Sequence, residues 1–288
     1  MGPGVVERFV DGGGRAPLIV RPRGAASPEG LAELVAARRH DLHERLAWVG
    51  AVLFRGFGVA DARGVACVVR AFSDRAPRPY HGGGARRTPV GDGVYSATAA
   101  PARARIPLHS ELSHLPAHPR HLFFACARAA TRGGETTLAD TRAVLAALPS
   151  PVRERFITRG VRYVRELPSG DLETSTVRPA VITHAVTGER IWFNQAHLFG
   201  FRRRWIERAC EALATLLQPR RVRGHHAQYG DGGDIEPVAL AQVLATLDRQ
   251  TIACAWQRGD LLVVDNETCM HGRNPFSGAR RVLVAMTG

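Results

Sequence analysis

The apolar residues of this chain come in short runs, and that brevity limits the folds open to it. Residues 50–57, 122–126, 161–164, 181–184, 191–194, 261–264 and 281–286 each hold a few β-branched, aromatic or leucine side chains between glycines, prolines or polar residues. Runs of that length read as strands. A further strand is expected at 136–139, after the turn Thr131-Arg132-Gly133-Gly134. Helical spacing is confined to fewer stretches. In 27–49, Leu31, Leu34, Val35, Leu42, Leu46 and Val49 recur at helical intervals behind the start signal Ser27-Pro28-Glu29, which predicts one amphipathic helix or two. Segments 141–148, 151–156, 204–217 and 238–250 read as helices as well. Many short strands with few helices predict a mainly β fold with flanking helices, a jelly-roll-like barrel, rather than a parallel doubly wound sheet. At 288 residues the chain is expected to form a single domain over 1–288.

Composition narrows the function classes. The formal net charge is +13, and with no lysine in the chain every basic side chain except histidine is an arginine. An Ala/Arg/Gly/Val-rich, lysine-free sequence reads as the product of a GC-rich genome rather than as a basic nucleic-acid-binding surface, and no nucleic-acid partner is expected. The excess charge would still steer an acidic partner or an anionic substrate. Cys67, Cys126, Cys210, Cys254 and Cys269 are scattered and form no C-x-x-C pair, so no disulfide or zinc framework follows. No apolar run approaches the ~18 residues of a spanning helix, and residues 1–15 lack a secretory apolar segment. A cytoplasmic protein without a membrane role is the expectation.

The chemistry is concentrated in two segments. His109-Ser110-Glu111 offers two ligands at i and i+2, which an extended segment projects to one side. His271, in the block Trp256 to Arg273, offers a third. Two imidazoles and one carboxylate with neighbouring positions open form the facial triad of non-haem Fe(II). His114, His118 and His121 form a weaker set, since Pro116 and Pro119 interrupt the helix their spacing needs. Cys269 reads as a core filler, His225-His226 as a loop or lid tip, and 77–93 as a surface loop rich in proline and glycine.

From about Val49 to Gly288, four blocks in order give the chain a close family likeness: Ile106 to His114, Gly133 to Asp140, Ile191 to Gln195, and Trp256 to Arg281. The chain resembles the taurine dioxygenase-like Fe(II)/2-oxoglutarate oxygenases, in the branch typified by the syringomycin-cluster hydroxylase and clavaminate synthase. The resemblance implies a double-stranded β-helix. It implies that His109, Glu111 and His271 bind iron, that Arg281 grips the distal carboxylate of 2-oxoglutarate, and that Thr136 adds a hydroxyl to the same carboxylate. A guanidinium fork suits that carboxylate. Fe(II), 2-oxoglutarate and O2 would then drive hydroxylation of an amino acid or an amino-acid-derived substrate, free or tethered to an acidic carrier protein, in specialised metabolism. Desaturation, epoxidation or cyclisation would leave the same marks, as would a non-catalytic jelly roll that binds a ligand. Glu111 disfavours halogenation, because related halogenases lack that carboxylate. Tyr95, Ser96, Asn194 and Gln195 are candidate substrate contacts, a polar turn network being an equal reading of the last two. The chain departs from the family in a short 167–179 segment and in Ala285, which stands where a second substrate-gripping arginine is usual.

Overall fold

The computed structural model describes residues 4–9, 17–74, 77, 87–97, 99–166, 172–199 and 225–288. The helix expected at 204–217, Cys210, most of the 77–93 loop and the start of the 167–179 segment lie outside the described residues.

An eight-stranded sheet runs in the order Val5–Phe9, Leu18–Pro22, Ala51–Phe54, Leu261–Asp265, His121–Arg128, Arg281–Thr287, Val94–Ser96, Pro89–Gly91. A four-stranded sheet, Ile252–Cys254, Thr136–Asp140, Cys269–Arg273, Ile106–His109, faces it. Strand alternation divides the side chains between two cores. Ala51, Leu53, Leu122, Phe124, Leu262, Val264, Val282 and Val284 point inward and meet Leu138, Cys254 and Cys269 of the smaller sheet. Val52, Phe54, Phe123, Ala125, Val263, Leu283 and Ala285 point outward, against the helices Pro28–Ala37, Arg39–Val49 and Ala62–Phe72. A third core lies outside the smaller sheet, where Ala139 and Met270 pack with Val144, Phe156, Leu240 and Val243 of the helices Thr141–Ala147, Ser150–Arg159 and Pro237–Arg249. This is the jelly roll the strand pattern predicts, with helices on both outer faces.

The 27–49 segment is two helices, hinged at Arg38 and ended by Gly50 at φ 77°. Ser27 Oγ accepts from Gly30 N at 3.2 Å, a cap that starts the first of them. Together they carry the chain from Leu18–Pro22 to its parallel neighbour Ala51–Phe54, a crossover that a tight turn cannot make. One expectation changes. His225–Tyr229 is a strand rather than a lid tip, and it pairs with Val161–Glu166, as does Leu172–Arg178 on the other side. Partners sixty or more residues apart satisfy that segment's backbone, which no local pattern announces.

Candidate metal centre

His109 ends its strand and His271 lies in the middle of the neighbouring one, and the two are direct antiparallel partners. Register alone therefore sends both imidazoles to the same face, with ring centroids 4.4 Å apart. The strands come this close because Gly272 follows His271: a Cβ there would stand 2.6 Å from both Ile106 O and Thr137 Oγ1. His109 Nδ1 donates to Pro107 O at 2.9 Å, which leaves the lone pair on Nε2. Burial, with the charges of His109 and Arg87, holds the His271 pKa well below the usual histidine range, so the ring is neutral. Its buried Nδ1 has no hydrogen-bond partner among the described residues.

Glu111 arrives by another route than strand alternation. The strand stops at His109, and Glu111 opens a turn in which buried Leu112 adopts φ 56°. What holds this turn is Asn266, fully buried and 155 positions away: its Oδ1 accepts from Glu111 N at 2.6 Å, and its Nδ2 donates to Glu111 O at 2.9 Å and to Pro119 O at 2.8 Å. One donor atom from each of His109, Glu111 and His271 lies within 4.8 Å of the others, and His271 Nε2 is 3.9 Å from Glu111 Oε2. Among the described residues no other such group of potential metal ligands is found. A neutral buried imidazole, a second imidazole with an outward lone pair and one carboxylate fit a ferrous ion with positions left open.

The 133–136 motif and the end of the chain meet beside this group. Thr136 is buried and its Oγ1 accepts from Trp256 Nε1 at 3.1 Å. Gly134, at φ 74°, lets Arg280 approach, and Arg280 Nε donates to Gly134 O at 3.0 Å. Burial, with the nearby charge of Arg273, lowers the Arg280 pKa to about 10, against the weaker opposing pull of Glu135. Arg281, the residue expected to grip a carboxylate, is exposed at the start of its strand. A bulge between Arg281 and Val282 separates it from the regular alternation. The half-buried cation is its neighbour.

The other candidates divide. Tyr95 packs against the inner core, whereas Ser96 Oγ accepts from Thr88 N at 2.9 Å. Asn194 and Gln195 are buried within the fold. Asn194 Nδ2 donates to Ala180 O at 3.0 Å and its Oδ1 accepts from Ala196 N at 3.1 Å; Gln195 Nε2 donates to Ser110 O. His197 Nε2 donates to Leu108 O at 2.7 Å. The 194–197 segment thus forms the polar turn network and supports the backbone around the two ligands. Cys269 is an inner-core filler whose thiol burial pushes up. His114, His118 and His121 do not converge: His118 bonds Glu267 at 3.0 Å, and His121 packs edge-on to Phe72.

Sequence reasoning missed Arg87, whose side chain is 5% exposed and whose Nη2 pairs with Glu111 Oε2. In a chain this rich in arginine, Arg86-Arg87 gave no signal. Asn266 was likewise passed over, although its place in the block before His271 marked it for attention.

The sequence profile of the taurine catabolism dioxygenase TauD, TfdA family matches residues 20–287. The dapdiamide synthesis protein DdaC of Enterobacter agglomerans is 30% identical over 284 residues, 86% of this chain and 84% of that protein. Tyrosine isonitrile desaturase of Erwinia amylovora is 29% identical over 184 residues, 61% of this chain and 56% of its own length. Among solved structures, PvcB, described as an Fe, alpha-ketoglutarate dependent oxygenase from an isonitrile synthetic pathway, superposes with a TM-score of 0.60 at 22% identity. That match covers 99% of this chain and 91% of PvcB.

Proposed function

The chain belongs to the TauD, TfdA dioxygenase family, and from that premise we propose that it hydroxylates a C–H bond of an amino acid or amino-acid-derived small molecule in specialised metabolite biosynthesis. It is a 2-oxoglutarate-dependent non-haem-iron dioxygenase, with Fe(II), 2-oxoglutarate and O2 as its cofactor set. The observation that carries the reading is the convergence of His109, Glu111 and His271 within 4.8 Å in a jelly roll. In this reading those three hold the iron. Thr136 and the unpaired, desolvated Arg280 take the distal carboxylate of 2-oxoglutarate; Arg281 yields that role because its side chain is in solvent.

Bound iron, with O2 and 2-oxoglutarate, supplies the oxidant that removes hydrogen from the C–H bond. The chain's part is to bind, orient and keep water out. Phe124, in ring contact with His271, and Leu138 and Val282 around it give the site hydrocarbon walls. Arg87 places a buried guanidinium against Glu111, and in this reading it meets a substrate carboxylate. The names of DdaC and the desaturase, a dapdiamide and a tyrosine derivative, support an amino-acid-derived substrate.

We read 1–288 as one catalytic domain acting in the cytoplasm. A charge of +13 suits an acidic carrier protein that presents the substrate, and nucleic acid and membrane have no part in this reading. No helix among the described residues is long and apolar enough to cross a membrane. The test is succinate release from 2-oxoglutarate under Fe(II), ascorbate and oxygen, with free and carrier-tethered amino acids offered as substrates. Hydroxylation gives a product heavier by one oxygen atom. Desaturation, the second reading and the one the desaturase relative favours, gives one lighter by two hydrogens. No succinate with any substrate leaves the ligand-binding jelly roll.

A further inference from the structure

We infer that Asn266 is the positioning residue of the metal centre: its side-chain amide holds Glu111 where a metal ion can take its carboxylate together with His271. The inference rests on reading His109, Glu111 and His271 as the metal site.

Three observations carry it. Asn266 closes a two-point bracket on the peptide groups of Glu111, donating to its carbonyl and accepting from its N–H. Few side chains other than a carboxamide can do both at once. Secondly, the bracketed residue lies outside any strand and precedes a leucine at φ 56°. A non-glycine residue in the left-handed region persists only where the surroundings over-determine it. Here the third bond, to Pro119 O, pins the far side of the same turn.

Thirdly, Asn266 belongs to the short turn that carries the chain from Leu261–Asp265 in the larger sheet to Cys269–Arg273 in the smaller one, the strand that delivers His271. Asp265 Oδ1 accepts from Glu267 N at 2.9 Å and Thr268 N at 3.1 Å, and Thr141 Oγ1 donates to Glu267 O at 2.9 Å, so that turn is fixed. Asn266 N itself donates to Arg120 O at 2.9 Å. One side chain therefore ties the Glu111 turn to the element that carries His271. Gln195 and His197, bonded to Ser110 O and Leu108 O, brace the same ligand segment from another direction, which is why the loss of Asn266 should displace the carboxylate without unfolding the strand before it.

The experiment is a titration of metal-free protein with Mn(II), following free and bound ion by electron paramagnetic resonance, on wild type and on N266A, N266D, H271A and V65A. Outer residues that orient a ligand are worth about 10–100-fold in metal affinity. N266A is expected to raise the Mn(II) Kd by that factor and to alter the line shape of the bound ion. N266D keeps the acceptor for Glu111 N–H but sets an anion against two carbonyls, and it serves if N266A does not fold. V65A removes core volume from the helix side, far from the ligands, and lowers stability while leaving Kd and line shape unchanged. Wild-type affinity and line shape in N266A or N266D would overturn the positioning role, as would an equal loss in V65A. If H271A also binds Mn(II) like the wild type, the metal site itself is misassigned and the inference falls with it; abolished binding in H271A beside wild-type binding in the Asn266 variants removes only the role of Asn266.

Discussion

Arg280 and Arg281 are neighbours in the chain and opposites in environment. One is desolvated enough for its pKa to fall to about 10; the other is exposed. A largely desolvated guanidinium with no ion pair is costly, and a carboxylate ligand offsets that cost. Replacing Arg280 by alanine should therefore raise the 2-oxoglutarate concentration needed for half-maximal turnover by about 10–100-fold, the loss of a charge-assisted bond pair. Arg281→Ala should leave it within twofold. The reverse result would return the clamp to Arg281. Arg87 has a different consequence. R87Q should spare 2-oxoglutarate binding and weaken binding of the carboxylate-bearing substrate, read as a rise in its KM. An unchanged KM would remove Arg87 from substrate recognition. Neither residue's environment could be read locally, because each is one arginine of a pair in a sequence that has many.

At the scale of elements, the candidate metal ligands depend on the register of two strands and on one turn. The Cys269–Arg273 strand opposes Ile106–His109 with His271 across from His109, and Gly272 makes the approach possible. A methyl group at 272 has nowhere to go but into Ile106 O and Thr137 Oγ1, both at 2.6 Å. G272A is expected to destabilise the protein by about 1–3 kcal/mol, as overpacking does, and to weaken Mn(II) binding as the strands part; calorimetry with the same titration checks both. Wild-type values for both would mean that the sheet absorbs the methyl. The short apolar runs announced Ala51–Phe54, His121–Arg128, Thr136–Asp140, Leu261–Asp265 and Arg281–Thr287. They did not announce Ile106–His109 and Cys269–Arg273, which carry the two histidines, nor Val5–Phe9, Leu18–Pro22, Pro89–Gly91, Val94–Ser96, Leu172–Arg178, His225–Tyr229 and Ile252–Cys254, since these are short or polar and are defined by the strands they pair with.

For the whole molecule, burial has a consequence for pH. His121 and His197 are both driven from 6.5 to about 4, chiefly by burial. Between those values the unfolded chain holds protons that the folded one refuses. Stability is therefore fully present above about pH 6.5 and falls as the pH drops towards 4, by up to about 1.4 kcal/mol per pH unit for each histidine. Urea unfolding of the metal-free protein should show midpoints declining from pH 7 to pH 5, and H197Q should flatten the decline. A flat profile in the wild type would mean that these rings are protonated within the fold.

The sequence by itself determined the class of fold and singled out the three candidate ligands. Short alternating apolar runs can bury a face only as strands in facing sheets, and two imidazoles with a carboxylate form a chemically distinctive set. Tertiary structure decided which arginine is desolvated, that Glu111 reaches the centre through a turn rather than along a strand, and that Asn266 holds it there across 155 positions. The physical reason is one of range: side-chain periodicity and donor chemistry are local and survive in the linear order of residues, whereas burial, charge pairing and support of a strained turn depend on what distant segments bring alongside.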